Sequence, residues 1–212
     1  LATGLRRPRK EVPGIDLDGI VDVTGTGVTS LQPGDEVFGF AAGSLAQLVC
    51  VPAGQLVRRP ASLSLEEAAT VPEAAMTALQ GLRDHGRVQP EQRVLVIGAS
   101  GGVGTFAVQI AKALGAEVTG VCGPMNQDLV RSIGADHVVD YTRTDVTTAG
   151  ERYDVILQLA GTAGPGRLRR ALVPGGTLVL SNGEGRVAGV DRILAAVILN
   201  PFVRERLVVF ET

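Results

Sequence analysis

The chain has 212 residues, of which 45% are hydrophobic and 20% charged, and its net charge at pH 7 is −2. This composition supports a buried core and excludes a disordered chain. The balance of charges argues against a nucleic-acid partner, and no apolar run reaches the roughly 20 residues that a membrane-spanning helix needs. We therefore expect a folded enzyme or binding domain with no nucleic-acid partner and no membrane span.

The first 60 residues contain short β-like runs that are separated by Gly and Pro, at 20–23, 36–40 and 48–51. Turns of this composition separate the strands of small antiparallel sheets. The segment therefore predicts part of a small antiparallel barrel.

Two helices are predicted next. The sequence Ser64–Glu67 is a capping box, which marks the start of a helix. Pro72 interrupts that helix, and a second helical pattern continues to about His85. Gly86 follows as the signal for its C-terminal end.

The most informative stretch is Arg93–Gly104, which reads R-V-L-V-I-G-A-S-G-G-V-G and precedes a helical pattern over 105–114. A strand, a tight glycine turn and a helix in this order present backbone N–H groups to a pyrophosphate. We expect Gly102 to let the backbone approach a phosphate and Gly104 to let helix and strand pack closely. The alternative is a glycine-rich turn in an ordinary α/β domain.

Strand and helix patterns alternate from this point to the end of the chain. Six strands are expected, at 94–98, 117–121, 137–140, 154–159, 176–181 and 207–210. Such alternation predicts an α/β fold with a doubly wound parallel sheet of the Rossmann type. Ligands of these sheets bind at the carboxyl ends of the strands.

Cofactor and metal choice follow from a few positions. The segment 121–126, after the second of these strands, contains no carboxylate, which favours NADP over NAD because NAD enzymes place Asp or Glu there. Cys50, Cys122, His85 and His137 do not form the set of about three ligands that a catalytic zinc requires. We predict a site without zinc, two buried free thiols and a surface or strand-end position for His137.

Six motifs, taken together, resemble the zinc-independent medium-chain dehydrogenases/reductases of the quinone oxidoreductase type. They span nearly the whole chain in the family's order: 13–21, 33–39, 69–78, 98–104, 134–141 and 172–178. The resemblance implies an incomplete GroES-like barrel domain at 1–73 and a six-stranded NAD(P)-binding Rossmann domain at 74–212. It also implies that the chain is a fragment, truncated at both ends.

The glycine motif, the position of ligands at strand ends and the resemblance together assign cofactor contacts to turns and strand ends. The implied residues are Gly98, Ser100, Gly101, Gly102, Val103, Gly104, Gly123, Asn126, Tyr141, Ala160, Gly161, Ser181 and Asn182. Thr77 matches a threonine near the nicotinamide, and its alternative is a helix hydroxyl bonded to a backbone carbonyl. Leu45 stands where relatives commonly carry an aromatic residue over the substrate.

The loop that would hold a 2′-phosphate departs from the family. Close relatives have Ser and Arg where this chain has Gly123 and Met125. Charge-assisted hydrogen bonds to phosphate are strong. Because this chain lacks those two side chains, we expect a lower affinity for NADPH. Asn126 and Arg131 are the residues we expect to compensate.

The resemblance implies an NADPH-preferring, zinc-independent oxidoreductase that transfers hydride to a quinone or an α,β-unsaturated carbonyl, with NAD(H) as the second candidate cofactor. The alternatives are a dinucleotide-binding scaffold or sensor without turnover and, ranked below it, a zinc-free alcohol dehydrogenase. We expect 207–210 to be the edge strand of the sheet. Because relatives pair this strand across a two-fold axis, the resemblance implies a homodimer. We expect a cytoplasmic protein, with a targeting segment before Leu1 left open.

Overall fold

The structure is a computed structural model that describes residues 12–181, 195–196, 198–200 and 203–210. The chain divides into two units between Met76 and Thr77. The domain boundary expected at 73/74 stays a prediction. No helix in the described ranges combines the length and apolar character needed to cross a membrane.

The first unit contains a three-stranded antiparallel sheet in the order β1-β2-β3. Its strands are β1 (Asp16–Ile20), β2 (Glu36–Phe40) and β3 (Leu56–Arg58). The strand expected at 36–40 is confirmed. Residues 21–23 and 48–51 form no strand, and Val23 and Leu48 are 79% and 77% exposed. The side chains of these segments stay largely exposed, so no packing stabilises a strand there in spite of their β propensity.

The helices after this sheet begin where the sequence predicts. Helix α1 (Leu65–Ala68) starts with the expected capping box, in which the Glu67 N–H donates to Ser64 Oγ at 3.1 Å. Helix α2 (Pro72–Leu79) starts at the proline. It continues as a π-helix over Gln80–His85, which ends at Gly86.

The second unit is built on a six-stranded sheet in which every neighbouring pair is parallel. All six predicted strands are confirmed, with bounds shifted by a few residues at most. They are β4 (Arg93–Ile97), β5 (Glu117–Cys122), β6 (His137–Asp140), β7 (Tyr153–Gln158), β8 (Leu172–Ser181) and β9 (Arg206–Phe210).

The strand order is β6-β5-β4-β7-β8-β9, so the winding direction reverses between β4 and β7. Apolar side chains are buried on both faces of the sheet. Val94 and Val96 of β4 belong to one buried cluster, while Leu95 between them belongs to the other. Two buried faces explain the continuous apolar runs in these strands. The α/β doubly wound fold is therefore confirmed.

The helices of this unit are α3 (Gly102–Ala113), α4 (Gln127–Ser132) and α5 (Pro165–Leu168). Helix α3 connects β4 to β5 and α4 connects β5 to β6, as expected for this winding. The connection 141–152 from β6 to β7 contains turns and no helix. This irregular connection contributes several side chains to the site described below.

Candidate dinucleotide site

A crevice of about 810 Å³ lies at the carboxyl ends of β4, β5 and β7. Its lining includes Ile97 and Cys122, which end β4 and β5, the glycines Gly98 and Gly123 that follow them, and Gln158 at the end of β7. In open α/β sheets, ligands bind at the point where the strand order reverses. The crevice therefore has the position and the size expected for a nucleotide site.

The turn between β4 and α3 is shaped by glycines. Gly98 has φ +90°, a conformation that glycine adopts without strain. A Cβ at Gly104 would overlap the carbonyl oxygen of Gly98 and lie 2.8 Å from the carbonyl carbon of Ala99. Gly104 is thus the residue that lets α3 pack on the turn, as predicted. A Cβ at Gly102 would meet no atom within 4 Å.

The N-terminus of α3 is arranged to receive an anion. Its N-cap is Gly101, and among the described residues no side chain caps the helix. The first N–H groups of a helix lack partners within the helix, and the helix dipole is positive at this end. A pyrophosphate at this turn would accept hydrogen bonds from these groups.

The end of β5 provides a polar wall without a carboxylate. Asn126 Nδ2 donates to Ser100 Oγ at 3.3 Å, which joins the loop after β5 to the glycine turn. Tyr141 is 66% exposed, and a Cβ at Gly123 would lie 3.5 Å from its ring. Met125 is 92% exposed.

The opposite wall contains an ion pair that the sequence did not indicate. Arg167 of α5 pairs with Asp145, and its Nε donates to Thr147 Oγ1 at 3.1 Å. The pKa of Asp145 is lowered because the Thr147 hydroxyl and backbone N–H donate to it and Arg167 lies beside it. Among the described residues that line the crevice, these two carry the only formal charges at neutral pH. Their pairing leaves the wall neutral.

The structure brings eight of the predicted site residues together around the crevice. They are Gly98, Ser100, Gly101, Gly123, Asn126, Tyr141, Ala160 and Gly161. Gly102, Val103 and Gly104 form the first turn of α3 beside it. Ser181 ends β8 and Thr77 is buried in α2, and neither lines the crevice. Asn182 lies outside the described residues.

Sequence reasoning missed Thr144, Asp145, Thr147, Gln158 and Arg167, all of which line the crevice. The first three belong to the helix-free connection from β6, where no periodic pattern marks a position. Arg167 follows Gly164 and Pro165, which begin a short helix. Only Gln158 could have been found from the sequence, because it is a polar residue near the end of a predicted buried strand, where ligands of these sheets bind.

The candidate zinc ligands are dispersed. His137 begins β6 on the surface, with its Nε2 2.9 Å from Glu117 Oε1, which confirms its predicted position. His85 lies against the ring of Phe210. Cys122 is buried as expected, but Cys50 is exposed, so that part of the prediction was wrong. Among the described residues no cluster of three His, Cys, Asp or Glu side chains has the arrangement of a metal site.

Comparison with known proteins shows what the chain resembles. The profile of the zinc-binding dehydrogenase family matches residues 102–200. The mitochondrial NAD(P)H oxidoreductase RTN4IP1 of Mus musculus is 42% identical over 137 residues. The quinone oxidoreductase of Escherichia coli, solved in complex with NADPH, superposes with a TM-score of 0.78 at 28% identity. In sequence and fold, these comparisons support a quinone oxidoreductase-like medium-chain dehydrogenase/reductase.

The CurK enoyl reductase also has a similar structure, with a TM-score of 0.77 at 29% identity, covering 94% of this chain and 61% of that one. The Escherichia coli enzyme is matched over 93% of this chain and 63% of its own. The mouse relative is matched over 61% of this chain and 35% of its own length. The chain thus spans about a third of that relative.

Proposed function

We propose that the protein is an NADPH-preferring oxidoreductase that reduces a quinone or an α,β-unsaturated carbonyl without zinc. One observation carries this proposal: the uncapped N-terminus of α3 and its glycine turn lie at the strand-order reversal, beside a β5 end with no carboxylate. The names of the quinone oxidoreductase and the enoyl reductase described above support the two substrate classes.

The residues of this chain divide the binding of a dinucleotide among them. The turn from Gly98 to Gly104 and the first turn of α3 bind the pyrophosphate. Gly123, Asn126 and Tyr141 contact the adenosine end, and Ala160 and Gly161 form the adjoining wall. We assign Thr77, Ser181 and Asn182 to positioning of the nicotinamide ring, partly through backbone groups.

The bound nicotinamide supplies a hydride, which is the redox step of this reaction class. The residues of the chain orient the ring and the acceptor, which is the entropic part of catalysis. Either acceptor would take two electrons and a hydrogen from the cofactor as hydride and one proton from solvent, while Thr77, Ser181 and Asn182 would hold the nicotinamide ring.

The preference for NADPH rests on two features of the loop after β5. It lacks the carboxylate that would repel a 2′-phosphate, and it places the Asn126 amide beside Ser100 at the mouth of the turn. Arg131, the other residue expected to compensate for Met125, is engaged elsewhere. Its Nη1 lies 3.1 Å from Asp128 Oδ1 and its Nη2 lies 3.1 Å from Gln127 Oε1.

Substitution of Arg131 is therefore expected to leave cofactor binding unchanged. In Arg131→Ala the dissociation constant for NADPH should stay within about twofold of the parent, because an exposed pair on α4 contributes about 0–1 kcal/mol to stability only. Fluorescence titration of both proteins with NADPH measures this. A tenfold loss would restore Arg131 as a 2′-phosphate ligand.

Turnover separates the reductase from its rival, a dinucleotide-binding scaffold or sensor. The exposed Leu45, in place of an aromatic residue, and the altered 2′-phosphate loop are the features that favour the rival. Consumption of NADPH in the presence of a small quinone or enone is the test. A protein that binds NADPH but reduces neither acceptor class would be a scaffold.

We also propose a homodimer that pairs through β9, with the cytoplasm as its compartment. Among the described residues β9 is the last strand of the sheet, and an edge strand can pair with a partner through its backbone groups. Light scattering at micromolar concentration should give twice the mass of the chain. A mass of one chain would contradict the dimer.

A further inference from the structure

Gln158 occupies an unusual position in the crevice. It is the last residue of β7, it is 1% exposed, and it lines the crevice at the point where the strand order reverses. Its Nε2 donates to the Ala163 carbonyl oxygen at 3.1 Å and approaches the Gly161 carbonyl oxygen at 3.5 Å. Its Oε1 is buried and has no hydrogen-bond partner among the described residues.

The orientation of this amide follows from its neighbours. The two groups at Nε2 are backbone carbonyls, which only accept hydrogen bonds. A reversed amide would place the Gln158 oxygen against both of them and lose the donor. The side chain therefore holds the turn after β7 with its N–H2 group and directs an acceptor away from that turn.

A buried acceptor without a donor costs free energy, and folded proteins seldom leave one unsatisfied. Val121, Ala163 and Leu168, which also line the crevice, have no side-chain donor to offer Gln158 Oε1. A ligand with an N–H or O–H group could satisfy this acceptor. The amide is neutral, so it would add no negative charge beside bound phosphates, as a carboxylate would.

The position of the crevice indicates which half of a dinucleotide supplies the donor. The lining residues come from the glycine turn, the end of β5 and the connection from β6, where the ribose of the adenosine half binds in this fold. Ser181 and Thr77, assigned to the nicotinamide, are not among them. The adenosine half of NADPH carries two kinds of donor: the 3′-hydroxyl of the ribose, whose 2′-oxygen bears the phosphate, and the amino group of adenine.

We propose that Gln158 is a binding residue whose Oε1 accepts a hydrogen bond from the adenosine half of the dinucleotide. The proposal rests on the proposed function, because it requires a dinucleotide in this crevice. It assigns Gln158 two roles: Nε2 fixes the turn at Gly161 and Ala163, and Oε1 recognises a hydroxyl or amino donor of the ligand.

A thermodynamic cycle tests the proposal with ADP and three analogues that each lack one donor. IDP replaces the adenine amino group by a carbonyl and carries a hydrogen on N1. 3′-deoxy-ADP lacks the 3′-hydroxyl, and 2′-deoxy-ADP lacks the hydroxyl that NADPH carries as a phosphate ester. Calorimetric titration compares the parent with Gln158→Met, which keeps the length of the side chain and removes its polar atoms. We expect Gln158→Met to bind ADP about three- to tenfold more weakly, the effect of one hydrogen bond.

The analogues identify the donor. In the parent, one of them should bind about three- to tenfold more weakly than ADP, and Gln158→Met should bind that analogue and ADP nearly equally. Weaker binding of IDP would identify the amino group as the donor to Gln158 Oε1, and weaker binding of a deoxynucleotide would identify the missing hydroxyl as that donor. If the variant weakens ADP and all three analogues by the same factor, Gln158 only holds the turn and the proposal is overturned.

A second variant separates the acceptor from the turn contact. Gln158→Glu keeps an acceptor oxygen and loses the N–H2 group that holds Ala163, so the difference between ADP and the sensitive analogue should persist. Disappearance of that difference would contradict the proposal. If the parent does not bind ADP at all, the proposed function is overturned. If the parent binds ADP and all three analogues equally well, only the role of Gln158 is overturned.

Discussion

Gly104→Ala should unfold or severely weaken the dinucleotide-binding unit. The added methyl group would overlap the Gly98 carbonyl oxygen and approach the backbone of Ala99, and no flexible side chain is there to move away. Overpacking against side chains usually costs about 1–3 kcal/mol, and we expect about 3 kcal/mol or more against backbone. Urea unfolding of the parent and the variant measures the free energy, and NADPH titration should show at least a tenfold loss of affinity.

Gly102→Ala is the matched control, two residues earlier on the same helix. A Cβ there meets no atom within 4 Å, so its free energy of unfolding should stay within about 1 kcal/mol of the parent. If Gly102 admits the phosphate, this variant should fold normally and still bind NADPH more weakly. Equal stability of the two variants would contradict the packing role of Gly104.

Gly123→Ser combined with Met125→Arg should strengthen NADPH binding about tenfold and leave NADH binding unchanged. A Cβ at position 123 finds ordinary contact distance, 3.5 Å from the Tyr141 ring, and position 125 is 92% exposed. The new hydroxyl and guanidinium would donate to the 2′-phosphate, and a hydrogen bond to a charged group contributes about 1.5–3 kcal/mol. Parallel titrations with NADPH and NADH measure the change.

The control for this gain is Leu129→Arg, which adds the same charge at a partly exposed position on α4, outside the crevice lining. It should change NADPH affinity less than twofold, because a solvated charge beyond the contact distance is screened by salt. A gain of equal size in both proteins would mean that net charge, and not contact with the 2′-phosphate, determines the affinity.

The second unit could be predicted almost completely because its strands are buried on both faces. Val94–Ile97 and Val155–Leu157 are continuous apolar runs, which parallel strands between helices require. The glycine turn was equally predictable, since steric exclusion at Gly104 leaves no other residue type. The π-helix at Gln80–His85 was not, because one extra residue per turn leaves little trace in a helical pattern.

The first unit was harder to predict, and two of its three expected strands were misplaced. Short apolar runs such as 48–51 resemble strands, but burial and not propensity decides whether they pair. The part of the site that depends on backbone geometry, the glycine turn, could be predicted. The part that depends on side chains from separate segments could not. Asp145 and Arg167 come from separate segments, and only the fold brings them together.

Titration of the chain with NADPH and NADH in parallel tests the central claim most directly. The chain has no Trp, so the fluorescence of the reduced nicotinamide can be followed with little protein background. We expect both cofactors to bind and NADPH to bind more tightly. A chain that unfolds cooperatively on heating, and is therefore folded, but binds neither cofactor would contradict the assignment of the crevice as a dinucleotide site.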